Sequence, residues 1–331
     1  FGNTFNPKIG VTWQPGLGLT LRGSYGTSYR APVLGDIAVD VQQISVQNFV
    51  DAASPTGTTR VLWVRGGNDQ LKAEEADIYS IGFDWNPDFA PGLRLSATYF
   101  NIDYTNRIET PGNDTSILNR LDTLGEFVTW DPPAEVISYW LSHPAYNGAP
   151  QDISLIRALV DGRKVNSGSV TLDGLDLNGT YEFDALHGNW RIGASATHLF
   201  KFKRSLSSQS PVLNILDTIS NPLSWQGRAY ATYRHNSGFG ATLYANYWGD
   251  YLNDSVNPAV KVDEWYTFDL TLRYDLPQNE GFLNGMGVTL DVRNVFDRSP
   301  HYVQNGTLAF DPQVSDIVGR FFLFGVTKRF E

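Results

Sequence analysis

The sequence contains no cysteine and one methionine, Met286, in 331 residues. The lack of cysteine excludes a disulfide framework and a thiolate metal site, and it suits an extracytoplasmic bacterial protein. No stretch approaches the roughly 18 consecutive apolar residues of a membrane-spanning helix. That excludes a helical membrane protein, but not one that crosses with strands, which are apolar only at alternate positions. Basic residues are outnumbered: 25 Lys and Arg stand against 35 Asp and Glu, a net charge of −10. No basic face is available to neutralise phosphates, so nucleic acid is not expected as a partner. The opening FGNTFNPKIG has neither a basic n-region nor an apolar h-region, which reads as a mature chain or a fragment.

What the chain does have is alternation. Period-2 segments predict strands at 5–15, 19–31, 75–86, 93–109, 168–184, 189–205, 222–235, 238–252, 263–275, 286–301 and 317–330. The connections alternate between short and long. Short ones fall at 15–18, 86–92, 185–189, 235–238 and 277–285; long ones at 32–74, 110–167, 206–221, 253–262 and 302–316. A soluble sandwich has no reason to place every long loop at one end. An all-β transmembrane antiparallel barrel does, because its turns are short on one side of the bilayer and its loops long on the other.

The apolar face gives a second indication. The face-out residues nearest the short-turn end are, in chain order, Trp13, Leu19, Trp85, Leu93, Phe183, Trp190, Tyr233, Phe239, Tyr274, Val288 and Phe330. Eight of these eleven are aromatic, in a chain that is 13% aromatic. Aromatic rings gather at a membrane–water boundary, so Trp13, Trp85, Phe183, Trp190, Tyr233, Phe239, Tyr274 and Phe330 are read as one girdle. A second ring is formed by Phe5, Tyr25, Tyr79, Tyr99, Trp225, Tyr247 and Tyr266, six to eight residues away. Eight residues at ~3.3 Å each, tilted by ~40°, span roughly 20 Å, somewhat less than the ~25 Å apolar band of such barrels. The competing fold is a soluble β-sandwich or propeller with its aromatics in a shared core. It explains neither the one-ended row nor the one-ended loops.

Two helix-like segments lie in loop 110–167. PAEVISYWLSH (133–143) has Val136, Ile137, Trp140 and Leu141 at helical spacing. DISLIRALVDG (152–162) predicts a helix capped by Asp152 and stopped by Gly162. Short helices inside a long external loop suggest a compact lid over a pore, or packing onto the barrel rim.

Nothing supports an enzyme. The five histidines are scattered without metal-ligand spacing, and no nucleophile elbow or phosphate-cradling glycine loop occurs. DGLDLNG (173–179) has the acids of a calcium loop, yet it alternates like a strand and lacks the closing Glu; Asp176 and Asn178 are read as facing the lumen. No catalytic residue, metal or cofactor is expected.

Several segments, in order, resemble one family. RGSYGTSYRAPVLGDI (22–37) resembles the strand exit of TonB-dependent outer-membrane receptors, and GGNDQLKAEEADIYSIGFDW (66–85) resembles their return strand. LRLSATYFNIDYTNRI (93–108), GLDLNGTYEF (174–183), YTFDLTLRYDL (266–276), LDVRNVFDRSPHY (290–302) and GRFFLFGVTKRF (319–330) are similar to the later strands of that family. The resemblance implies a 22-stranded barrel closed around an N-terminal plug, which imports a scarce nutrient with energy from the TonB complex. It implies a bacterial outer-membrane location among lipid and lipopolysaccharide, a small-molecule ligand and a monomeric barrel. Against that pattern the chain carries only the C-terminal eleven strands and no plug, so residues 1–331 are expected to be a partial barrel domain whose contact with TonB lies in the missing part. Glu331 after Phe330 also departs from the pattern the resemblance implies, in which the chain usually ends on the aromatic.

In the family, loops corresponding to 32–74 and 110–167 commonly close over substrate. This makes Trp63, Arg65, Trp130, Tyr139, Trp140 and Tyr146 the candidate ligand contacts, with packing within the loops as the competing role for each. Loop 110–167 carries seven carboxylates against four basic residues, which disfavours a strongly anionic ligand. Iron chelates, cobalamin, nickel complexes and oligosaccharides all fit the reading. A passive porin and a soluble all-β binding protein or hydrolase are the alternatives.

Overall fold

A computed structural model describes residues 4–39, 43–207, 209–256, 258–276, 283–304 and 308–329. Strands β1 (Lys8–Gly16) and β2 (Leu19–Arg30) form the first hairpin. Helix α1 (Leu34–Ile37) and strands β3 (Gln43–Val50) and β4 (Thr58–Gly66) follow, before β5 (Glu74–Trp85) and β6 (Leu93–Glu109). The next excursion holds α2 (Leu121–Leu124), β7 (Val128–Trp130), α3 (Ala134–Ser142) and β8 (Ala158–Arg163). It leads into β9 (Val165–Ala185), β10 (Gly188–Ser205), the two-residue β11 (Leu213–Asn214), β12 (Trp225–His235) and β13 (Phe239–Trp248). A small hairpin, β14 (Tyr251–Asn253) with β15 (Val260–Val262), precedes β16 (Trp265–Asp275), β17 (Met286–Arg293) and β18 (Phe321–Lys328).

Eleven strands make one antiparallel wall in the order β1-β2-β5-β6-β9-β10-β12-β13-β16-β17-β18. Each pairs with its chain neighbour in the wall, and among the described residues β1 and β18 have no second strand beside them. All eleven expected strands are present, and β6 has the predicted bounds. The last two are shorter than predicted. Asn294 and Asp297 take positive φ (48° and 54°) beyond β17, so the chain leaves the wall eight residues before 301. Likewise β13 stops at Trp248, and 251–253 belongs to the small hairpin instead.

Alternation gives the wall two unlike faces. Trp13, Leu21 and Phe83 are successive cross-strand partners, as are Phe183, Trp190 and Tyr233, and Phe239, Tyr274 and Val288. Cross-strand partners share a face, and this face has no layer over it: Trp13 is 62% exposed and Phe324 68%. Two girdle rings hydrogen-bond the nearest turns, Trp85 Nε1 donating to the Leu17 carbonyl (3.1 Å) and the Tyr233 hydroxyl to that of Leu186 (2.5 Å). The Trp190 ring lies 4.7 Å from Tyr233 and 6.4 Å from Phe183. At the other level Tyr25 pairs with Tyr79, and Tyr247 with Tyr266. Phe330 lies outside the described residues.

The opposite face is polar. Arg22 reaches Asp84 (2.9 Å) and Thr98 (2.7 Å), Ser24 meets Ser80 (2.9 Å), and Asp176 accepts from Thr197 (2.7 Å). The turn between β1 and β2 depends on Gly18. Its φ of +73° is left-handed, and a Cβ there would stand 1.8 Å from the Asn86 carbonyl oxygen. No helix among the described residues is long and apolar enough to cross a membrane.

The buried cores lie in the long connections and at the strand ends that lead into them. Strands β3, β4, β8 and β7 form a four-stranded sheet in that order, with β4 and β8 parallel. One face packs Val61, Trp63 and Val160 against Ile117, Leu118, Leu124 and Phe127. The other packs Leu62, Val64 and Leu159 against Ile137 of α3 and Ile156. A third core, around Tyr251, Trp265, Val303 and Val314, ties the later connections together.

The predicted helix over 133–143 forms as α3, but the one over 152–162 does not. Asp152 does accept from the Ser154 amide (3.0 Å), capping only a single 3₁₀ turn at Ile153–Leu155. The chain then extends as β8, where Gly162 pairs with Arg65 instead of ending a helix. The spacing of Leu155, Ile156, Leu159 and Val160 fits a helix, but a strand buried on both faces has the same apolar run.

Candidate functional site: the mouth and its lid

The four-stranded sheet and α3 are built from the long connections and so lie at the long-loop end of the wall; together they are called the lid. Its attachment is short and polar. Only Lys164 separates β8 of the lid from β9 of the wall. Its ammonium donates to Asp36 of α1 (2.6 Å), and its carbonyl accepts from Asn68 Nδ2 (2.9 Å). Asn166 Nδ2 donates to the carbonyls of Lys72 (2.9 Å) and Asn106 (2.8 Å). Beside this, Arg30 pairs with the buried carboxylate of Glu74, which also accepts the Ile108 amide (2.8 Å). Gly67 fits because a Cβ would meet Ala38 and Asp36 backbone atoms at 2.5–2.8 Å. Residues of RAP and GGND, far apart in sequence, thus converge in one clasp. Burial would raise the Asp36 carboxyl, but the Lys164 ammonium and the Val33 amide outweigh it and hold it below its ordinary value.

The candidate ligand contacts divide by exposure. Trp63 is buried in the lid core, edge-on to Phe49 at 5.2 Å, with Nε1 donating to the Gly112 carbonyl (2.9 Å). Arg65 lies over the Trp63 ring at 3.8 Å. Trp140 and Tyr146 pack against the other lid core, the Tyr146 hydroxyl donating to the Ala149 carbonyl (2.6 Å). Trp130 and Tyr139 are exposed, at 43% and 61%. The six are therefore spread over the lid and do not line one cleft. Among the described residues no group of three or more His, Cys, Asp or Glu could hold a metal ion.

The larger cavities lie on the polar wall below the rim. One, of about 550 Å³, is lined by Thr98, Asp176, Asn178, Ser195 and Arg228. Next to it, one of about 730 Å³ runs between the outer ends of β12, β13, β16 and β17 and the segment 312–321. Arg228, Asn246 and Trp248 line both. The motif reading missed Arg228, Trp248, Trp265 and Arg293. Their signal was strand parity, since each falls on the polar face just under a long connection.

The comparisons fit this geometry. A sequence profile described as "TonB dependent receptor-like, beta-barrel" matches residues 1–295. No curated protein matches the sequence. Among solved structures, a mutant ferric enterobactin receptor from Pseudomonas aeruginosa in complex with enterobactin superposes with a TM-score of 0.65 at 17% identity, covering 98% of this chain and 40% of that one. The siderophore receptor PirA from Acinetobacter baumannii gives 0.64 at 14% identity, covering 98% and 41%. The FrpB iron transporter from Neisseria meningitidis gives 0.53 at 17%, covering 97% and 38%. At these identities the likeness shows the fold alone, and the chain spans about 40% of the length of these structures. The profile match over 1–295 shows that the chain belongs to the TonB-dependent receptors, as part of their β-barrel domain.

Proposed function

We propose that the chain is the C-terminal half of an outer-membrane receptor barrel that imports a scarce small solute, such as a metal chelate, in a TonB-dependent step. The observation that carries this reading is the register. It places the aromatic rows on one uncovered apolar face, the polar cavities on the other, and the lid at the long-loop end. Lipid and lipopolysaccharide would cover the apolar face, and the polar face would line the lumen. The siderophore and iron receptors among the similar structures favour an iron chelate as the solute.

An open wall leaves the outer backbone groups of β1 and β18 unpaired, which lipid does not tolerate. With eleven antiparallel strands, β1 and β18 run in the same direction, toward the short-turn end. Antiparallel closure therefore requires an odd number of further strands, with both outer ones running the opposite way. Two copies of this chain would meet in parallel seams. A plug and half-barrel elsewhere in a longer, monomeric receptor satisfy the requirement, and contact with TonB would come from that part.

The test is accumulation of a radiolabelled ferric chelate by cells expressing the full-length receptor. Uptake above the external concentration that is abolished without TonB supports the reading. Uptake that only equilibrates, regardless of TonB, identifies a passive porin.

A further inference from the structure

The lid sheet ends on two unlike edges. β7 is three residues long, whereas β3 runs for eight and has no strand on its outer side among the described residues. The pairing with β4 fixes which backbone groups face that side. The Asp51 amide donates to the Gly57 carbonyl (3.0 Å), and these two residues continue the β3–β4 register, so Phe49, Gln47, Ser45 and Gln43 are the residues bonded to β4. Ile44, Val46, Asn48 and Val50 then turn their amides and carbonyls outward. Two bonds agree with this phase: the Val50 carbonyl accepts from Asn119 Nδ2 (3.1 Å), and across β4 the Arg60 carbonyl accepts the Arg157 amide (3.0 Å). Asn119 also accepts the Ala52 amide (2.8 Å), closing that end of the edge. Among the described residues no side chain does the same for Ile44, Val46 or Asn48.

Exposed edges are ordinarily blunted by a charge, a proline or a bulge, because an unblunted edge accepts any strand that reaches it. QISVQNFV has none of the three, and its register with β4 is unbroken. The order of the sheet indicates where a partner comes from. β3 and β4 arise between β2 and β5, and β8 and β7 between β6 and β9, so the lid sheet follows the wall and β3 stands at its β1 side. β1 runs toward the short-turn end, so the chain descends into it from the long-loop end, where the Pro7 carbonyl still accepts the Thr27 amide (3.0 Å).

We propose that the connection leading into β1 in the full-length receptor lays an extended strand against β3, as a fifth strand of the lid sheet. Val46, partly buried on the α3 side, and Val50, 61% exposed, offer it apolar neighbours, and the uncharged edge suits a strand without charge opposite it. The strand ties the lid to the part of the barrel beyond β1. The inference rests on the receptor reading, which supplies that part.

Hydrogen exchange of the full-length receptor, read residue by residue, tests it. The amides of Ile44, Val46 and Asn48 should exchange roughly a hundredfold more slowly than an unpaired chain, as for a strand pair open about one part in a hundred of the time. Replacing the connection before β1 by a glycine–serine linker should release these three and leave Ser45, Gln47 and Phe49, bonded to β4, protected. Asn48→Pro removes one outward amide at an exposed side chain. It should quicken exchange at Val46 and in the connection, whereas an edge in water tolerates proline without change. Exchange of the three amides at the unpaired rate overturns the proposal. So does protection that survives the linker, or that appears only as protein concentration rises, because another strand or a second copy then holds the edge. If the linker variant does not fold, Asn48→Pro decides, and an unchanged exchange pattern overturns the proposal. TonB-dependent uptake with an open edge sinks this inference alone; an edge that only the linker opens, without TonB-dependent uptake, sinks the receptor reading alone.

Discussion

A single arginine walked along β13 separates a lipid-facing wall from any other use of the same strand. Phe239 pairs with Tyr274, Leu243 with Leu270, and Tyr247 with Tyr266. Leu243 is therefore four residues from the aromatic row on either side, roughly 10 Å along the membrane normal at ~3.3 Å per residue and ~40° of tilt. It has no covering layer in the structure, being 47% exposed. An arginine at the midplane of a barrel's lipid face costs about 2–4 kcal/mol, falling to about 0–1 kcal/mol near the interfaces. Leu243→Arg should thus reduce the folded-to-unfolded ratio by roughly 30- to 700-fold, at about 1.4 kcal/mol per factor of ten. One residue away, Thr242 faces the other side, where its hydroxyl meets that of Thr232 (3.1 Å). Thr242→Arg loses that contact in water, at a cost of about 1 kcal/mol or less. The assay is urea unfolding of the full-length receptor in lipid vesicles, for Arg at 239, 241, 243, 245 and 247 and at 242. A cost that peaks at 243 and vanishes at 242 is expected. Equal costs at 242 and 243, or a maximum at 239 or 247, refute the placement of the bilayer.

Three other outcomes follow from the lid. Leu62 is fully buried between β4 and its neighbours, so Leu62→Ala should cost about 2–5 kcal/mol locally. Hydrogen exchange should quicken across β3, β4 and β8 and leave β9 and β10 unchanged; exchange that quickens along the wall as well refutes a lid with its own core. The clasp should be pH-dependent with a defined sign. Since Asp36 is held below its ordinary value of 3.8, its ion pair with Lys164 stabilises the lid above that pH and is lost as the pH falls through the lower folded value. Limited proteolysis of loop 32–74 should therefore accelerate only in that acid range, and Asp36→Asn should show the fast rate at neutral pH. Tyr139→Ala, at an exposed lid position, should weaken chelate binding without changing lid exchange rates, whereas Trp63→Ala should loosen the lid by about 3–5 kcal/mol. Isothermal titration of the receptor with its chelate separates the two.

The wall was legible because a strand with one apolar face writes itself into the sequence at period two. The alternation of Leu93–Glu109, bounded by a turn and a long loop, needed no tertiary information. The Phe183, Trp190 and Tyr233 row followed from the same parity. The lid was not legible, for two physical reasons. Its central parallel pair joins Val61 to Ala158 and Trp63 to Val160, across a separation that no local pattern encodes. Its strands are buried on both faces, so VLWV and ALV are continuous apolar runs without a period. The site residues divide in the same way. Trp63 and Trp140 are aromatic residues in a long loop, and the lid uses both for packing. Arg293, on a wall strand, is one of several polar-face arginines by parity, and which of them line a cavity is set by tertiary packing that sequence cannot show.

The central claim is that one face of the wall meets lipid and the other meets water, and because these 331 residues contain no cysteine, a single cysteine introduced into the wall, with any cysteine elsewhere in the receptor replaced by serine, measures it directly. Single cysteines at Ser80, Ile81, Thr242, Leu243, Thr289 and Leu290 in the full-length receptor, spin-labelled and reconstituted in vesicles, report accessibility to oxygen and to a water-soluble nickel chelate. The account predicts strict alternation: labels at 81, 243 and 290 relax with oxygen, and those at 80, 242 and 289 with the chelate. Labels at 81, 243 and 290 that relax with the chelate as readily as their neighbours would contradict it.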